Sequence, residues 1–183
     1  MPARKNKNRL LHNRILFPRM GFTFIEVMMT IAIMAMVFTI AMPIMQNDDH
    51  FRVVAAARIV SSDLELAQVM TLSDPGAPVI VVFSSTLPKY HLAHPDTFKT
   101  PLNREDNGLP YVVEMGLDRA ATAQGVTIST TNLTNNILAY SAQGGLVDFT
   151  RTPSITLTYG KEWITLTIAP TTGTITETAG TNP

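Results

Sequence analysis

Gly21-Phe22-Thr23-Phe24-Ile25-Glu26, followed at once by an apolar run to Met45, decides how this chain is read. Residues 22–45 number 24, and Glu26 is their single charged side chain. A helix of that length, at about 1.5 Å per residue, reaches roughly 36 Å and crosses a bilayer core of about 30 Å with some tilt. Arg4, Lys5, Lys7, Arg9, Arg14 and Arg19 precede it without a single acid, and Asp48 and Asp49 follow it. The positive-inside bias puts the N-terminus in the cytoplasm and everything beyond Gln46 on the far side. The run is too long for the apolar region of a cleaved secretory signal, and no small-x-small cleavage site follows it.

Glu26 is the anomaly. An acid in a spanning segment costs up to about 2.5–3.5 kcal/mol at the bilayer centre, and no partner stands nearby in the apolar run. A cut after Gly21 creates one: Phe22 gains a cationic α-amine four residues before the carboxylate. Amine and carboxylate then neutralise each other within one chain, or between chains stacked with a small offset. The plainer alternative is a signal anchor that tolerates an acid near the headgroups.

Basic leader, Gly21, Phe22 through Val27 and an apolar helix together resemble the type IV pilin and type II secretion pseudopilin signature. The resemblance implies cleavage by prepilin peptidase between Gly21 and Phe22, N-methylation of Phe22, and Glu26 as the carboxylate that assists assembly. Pro43 stands where many members have a helix-kinking proline, and proline removes a backbone donor there.

Composition sets the frame beyond the membrane. Of 183 residues, removal of 21 leaves 183 − 21 = 162, with about 130 outside the lipid, enough for one small domain with a core. There is no Cys, so the disulfide that closes many pilins is missing and thiol chemistry is excluded. The leader holds 6 of the 14 basic residues and none of the 14 acids, which leaves a mature chain of 8 − 14 = −6. That charge is a poor match to DNA phosphates.

The chain divides into four segments: a basic leader over 1–21, the membrane half of a helix over 22–45, its water-exposed half over 46–73, and a β-rich domain over 74–183. In the third, Phe51, Ala55, Ile59, Ser62, Leu66, Val69 and Met70 share one face, and Val53, Ala57, Val60, Leu64 and Ala67 make an adjoining stripe. Asp48, Asp49, Arg52, Arg58, Asp63, Glu65 and Gln68 are assigned to the polar side. Asp74-Pro75-Gly76 ends the helix. Strands are expected over 78–83, 89–92, 111–115, 126–130, 137–141, 146–149, 154–159, 162–168 and 174–178, with a hairpin at Gly160-Lys161 and fraying from Ala179 to Pro183. The fold class expected is α+β, pilin-like: one long N-terminal helix packed on antiparallel sheet.

The segment 57–68, ending Ala67-Gln68, resembles the helix of the GspH/FimT-type minor pseudopilins. The runs 137–145, with Gly144-Gly145, and 168–173, with Pro170 and Gly173, resemble that group's strand, glycine turn and closing turn. This resemblance implies a minor pseudopilin at or near the tip of a type II secretion pseudopilus. It would sit in the inner membrane with its C-terminal domain in the periplasm before joining the filament. Its partners would be other pseudopilins, prepilin peptidase, the assembly platform and membrane lipid. The alternative is a minor pilin of a type IV pilus, for assembly or DNA uptake. The DNA-binding branch carries a basic Gly-Arg-x-Arg stretch after its closing strand, whereas residues 173–178 here contain no Arg.

Other clusters read as plain surface. His91, His94 and Asp96 have a faint metal-site spacing but fall beside Pro95 in an expected loop. Glu105-Asp106-Asn107-Gly108 lacks the ligand spacing of a calcium loop and reads as a turn. Tyr159 and Trp163 flank the hairpin as cross-strand packing. No nucleophile elbow, P-loop or dinucleotide fingerprint is present, so no catalytic residue, metal or cofactor is expected. A membrane-tethered enzyme or binding module is the remote alternative.

Overall fold

The structure, a computed structural model, describes residues 21–41, 48–148 and 150–182 (39–41 by backbone alone). The expected leader up to residue 20 and the proline kink at Pro43 lie outside the described residues. The chain forms two compact units, Met1–Ile44 and Met45–Pro183.

In the first unit, α1 spans Phe24–Ala41. Thr23 starts it: its Oγ1 accepts the Glu26 N–H at 3.3 Å, and its carbonyl accepts the N–H groups of Glu26 and Val27 at 3.1 and 3.2 Å. Thr23-Phe24-Ile25-Glu26 thus has the pattern of a capping box. Apart from Glu26 in its first turn, α1 has apolar residues on every side, and its described side chains are exposed, Phe24 and Met36 among them. A helix apolar all round belongs in a non-aqueous setting. Among the described residues no helix is long and apolar enough to cross a membrane. The 18 residues of α1 reach about 27 Å, and the expected span continues through 42–45, outside the described residues.

The second unit is α+β. Its elements are α2 (Asp48–Ser73), β1 (Ile80–Phe83), β2 (Lys89–Ala93), β3 (Val112–Glu114), β4 (Thr127–Thr131), β5 (Ile137–Ala139), β6 (Ser154–Tyr159), β7 (Glu162–Ile168) and β8 (Ile175–Thr181). They make two four-stranded sheets, β3-β2-β1-β5 and β4-β6-β7-β8, antiparallel throughout.

Helix α2 opens with Asp48 and Asp49 at the positive end of its dipole. It ends where Asp74 Oδ1 accepts the Gly76 N–H at 3.1 Å, an Asx turn. The Thr71 hydroxyl donates to Ala67 O and accepts the Val79 N–H at 3.0 Å, sewing the helix end to the lead-in of β1. Its buried stripe is Val53, Ala56, Ala57, Val60, Leu64 and Ala67. Phe51 and Val69, expected on a covered face, are more than half exposed, at 64% and 56%.

The stripe packs on β6 and β7. Ile155 and Leu157 face it from β6, opposite Leu166 and Ile164 of β7, while Thr156 and Thr165 meet on the outer side with hydroxyls 2.9 Å apart. Period-two alternation sends apolar residues inward here, each worth about 1.5–3 kcal/mol on full burial. Gly160, at φ +59°, makes the two-residue turn between these strands.

Two expectations about the strands also fail. No strand forms over the described part of 146–149: Leu146 makes one bridge to Tyr140, and its N–H goes to Pro170 O at 2.7 Å instead of to a continuing ladder. Ala179 does not begin a frayed end. It lies in β8, which pairs with β7 from Ile168↔Ile175 to Glu162↔Thr181. Gly180 leaves room there for the Trp163 indole, which a Cβ would strike.

Candidate functional site

The first candidate is the head of α1. Gly21, Phe22 and Thr23 precede the helix and are exposed, Phe22 at 82%. The Gly21–Phe22 bond is therefore open to approach, ahead of the first helical turn. Glu26 is in the first turn of α1, where the helix dipole favours a negative charge. Thr23, to which the sequence pattern assigned no role, holds that turn through its hydroxyl. The Thr-x-x-Glu spacing is the signal that could have found it.

The second candidate is a buried cluster that sequence pattern does not reveal. Asp63, assigned to the polar side of the helix, is 1% exposed and faces the core. Tyr90 Oη donates to Asp63 Oδ2 at 2.5 Å, Tyr111 Oη donates to Oδ1 at 2.9 Å, and Arg119 Nη2 donates to Oδ1 at 2.5 Å. Arg119 Nη1 also donates to Tyr111 Oη at 2.8 Å. The ring of Tyr111 has two guanidinium groups near it, Arg104 at 5.2 Å and Arg119 at 5.7 Å. Beside this cluster is a cleft of about 480 Å³, lined by Leu66, Met70, Leu92 and Leu102 together with Arg104 and Arg119.

Burial raises the Tyr90 phenol well above its ordinary value, and the Asp63 carboxylate raises it further. Burial and Asp63 raise Tyr111 as well. Burial pulls the Arg119 guanidinium down, but the Asp63 carboxylate and the hydrogen bonds to it and to Tyr111 outweigh that, and the net direction is up. Tyr90 and Tyr111 thus stay protonated and Arg119 charged at neutral pH. Such a set fixes shape; these three groups do not exchange protons near pH 7.

A third cluster joins the three short segments singled out by resemblance. Gln68 Nε2 donates to Gly144 O at 2.6 Å and to Thr172 O at 3.0 Å. Gly145 passes so close to Pro170 and Thr171 that a Cβ would meet the Thr171 carbonyl oxygen at 2.5 Å. Gly173, at φ +72°, would crowd Gly144 O in the same way. The helix, the glycine turn and the closing turn, 76 and 104 positions from Gln68, meet at its one amide.

The remaining sequence candidates are accounted for locally. His91 is in β2, within the strand expected over 89–92, with Nε2 2.8 Å from Phe98 O, and His94 Nδ1 is 2.9 Å from Pro78 O. No group of metal-binding side chains gathers among the described residues. Residues 104–109 form a closed turn, Gly108 N–H to Arg104 O at 2.9 Å. Tyr159 packs on Gly125 beneath Arg52, and Trp163 on Gly180.

No family model, no curated protein and no solved structure matches the chain.

Proposed function

We propose that this chain is a minor pseudopilin subunit of a type II secretion system, cut by prepilin peptidase after Gly21 and methylated on Phe22. The observation that carries the reading is the sequence Gly21-Phe22-Thr23-Phe24-Ile25-Glu26 at the exposed head of a helix whose one charge is Glu26, behind a basic leader. Cleavage supplies the α-amine that the Glu26 carboxylate needs in an apolar setting, between or within chains. The helix passes from lipid into a bundle of like helices, and the second unit forms the filament surface or tip.

The GspH/FimT-type assignment rests on short motifs, and their convergence on Gln68 supports it. Secretion is preferred over DNA uptake because residues 173–178 carry Glu177 and no basic side chain, in a mature chain of net −6.

Exchange of Glu26 tests the proposal in cells. Glu26→Gln keeps the shape and removes the charge, and the Thr23 cap bonds the backbone N–H and is untouched by it. The variant should be cut normally and be missing from sheared filaments. Normal incorporation of Glu26→Gln would refute the mechanism.

A further inference from the structure

Four strands end the two sheets. β3 and β5, at the edges of the first, have three residues each. β4 and β8 end the second, and β8 is the longest edge, seven residues with Glu177 as its one charge and neither Lys nor Pro. Folded proteins blunt their edges by shortness, charge or proline, because an open edge is a template for another strand. β8 has little of that protection.

The register fixes which of its backbone groups face outward. Ala169 N–H donates to Thr174 O, and Asn182 N–H donates to Lys161 O, flanking the β7–β8 ladder at its two ends. Hydrogen-bonded pairs alternate along an antiparallel ladder. Thr176, Thr178 and Gly180 therefore spend their backbone groups on β7. Ile175, Glu177, Ala179 and Thr181 turn theirs away, and among the described residues no strand lies beyond them.

We propose that β8 pairs with β8 of a second copy of this chain, antiparallel and centred on Thr178. An edge contact works when outward groups meet outward groups, so odd-numbered residues must face odd-numbered ones. Centring on Thr178 sets Ile175 against Thr181 and Glu177 against Ala179, in both directions. All four outward residues are then used, for about eight inter-strand hydrogen bonds, and Thr178 meets its own copy across the axis. Centring on Glu177 sets like charges directly opposite, which is unfavourable, and leaves Thr181 unpaired. Centring on Ala179 leaves Ile175 unpaired. The favoured register is twofold and closed. It needs neither the cut at Gly21 nor the charge on Glu26, so it stands or falls apart from the assembly reading.

The chain has no Cys, which makes a single introduced thiol a clean reporter. Thr178 and its copy form a non-hydrogen-bonded pair, with Cα atoms about 4.5 Å apart, inside the span of a disulfide. Full-length Thr178→Cys, solubilised in detergent and mildly oxidised at low salt, should run mainly at twice the chain mass. Thr165→Cys, one strand inward on the same face, should stay monomeric. Ala179 is exposed, so charges there spare the fold. Ala179→Glu, set against Glu177, should lower Thr178→Cys cross-linking several-fold, and Ala179→Lys should keep or raise it. Failure of the folded Thr178→Cys protein to dimerise would overturn the proposal. So would cross-linking no greater than that of Thr165→Cys, indifference to the sign of charge at 179, or a cross-link to a chain of another mass.

Discussion

Arg119 Nη2 lies 2.5 Å from Asp63 Oδ1, an ion pair that joins residues 56 positions apart beneath the surface of α2. The carboxylate is 2% exposed at its side chain and the guanidinium 35%. Asp63 has replaced its water with three donors, and those donors hold β2, the lead-in to β3 and the short 3₁₀ segment Asp118–Ala123 against the helix.

Removal of both members of that pair should cost less than the sum of the two single removals. Arg119→Met leaves a buried carboxylate short of its cation, a loss of about 3 kcal/mol, at the low end for such pairs because the guanidinium is partly solvated. Asp63→Leu with Arg119→Met also strips Tyr90 and Tyr111 of their acceptor, so it is destabilising in itself but should fall short of the sum of the two single losses. Urea midpoints of both single variants and of the double variant measure the coupling, and losses that simply add would mean that the pair is not coupled.

The tyrosines give the cluster an alkaline limit. Tyr90 and Tyr111 are raised in the folded protein, so the unfolded chain loses its phenol protons first as pH climbs past about 10. Below that point the folded and unfolded states bind the same number of these protons, and stability is unaffected. Above it the unfolded state holds fewer, so stability falls toward the folded values. A urea midpoint that drops between pH 9 and 11 is expected. Tyr90→Phe should drop less steeply over the same interval, with the buried Tyr140, also raised, supplying part of the remaining slope.

Gln68 should matter out of proportion to one amide. Gln68→Ala leaves the Gly144 and Thr172 carbonyls without that donor, a cost of about 1–2 kcal/mol. Faster amide exchange should appear together in 141–146 and 169–174, the two turns that this amide joins. Gly173→Ala should cost more, since it strains a left-handed backbone and drives a methyl into Gly144 O. Exchange rising in one loop alone would contradict the shared anchor.

The parts of the fold carried by local pattern were legible. The stripe from Val53 to Ala67 declares itself by spacing, and so do the alternating strands either side of Gly160-Lys161. What eluded sequence reading depended on distant partners. Asp63 reads as water-facing on its chemistry alone, yet it lies three residues after Val60 and four before Ala67, on the buried stripe; its partners Tyr90, Tyr111 and Arg119 have no local signature. The end of β8, Thr178-Ala179-Gly180-Thr181, has no apolar alternation and owes its strand form to β7 and to the indole resting on Gly180. The division of the strands into two sheets is likewise a matter of non-local pairing. At the head of α1 the position was reversed: the residues of the proposed cut are plain in sequence, and the structure adds the Thr23 cap.

That cap separates folding from processing. Thr23→Val removes the hydroxyl that accepts the Glu26 N–H and should weaken the first turn of α1 by about 1 kcal/mol. It leaves Gly21, Phe22 and Glu26 in place, so the cut should proceed and assembly should fall only partly, unlike the loss expected for Glu26→Gln. Pulse-chase processing beside filament yield distinguishes the two, and an uncut Thr23→Val protein would place the hydroxyl in the cleavage step instead.

The most direct measurement is the intact mass of the protein recovered from the cells that make it. The account predicts a chain beginning at Phe22 and carrying one added methyl group. A chain that still begins at Met1, with its six basic leader residues, would contradict it.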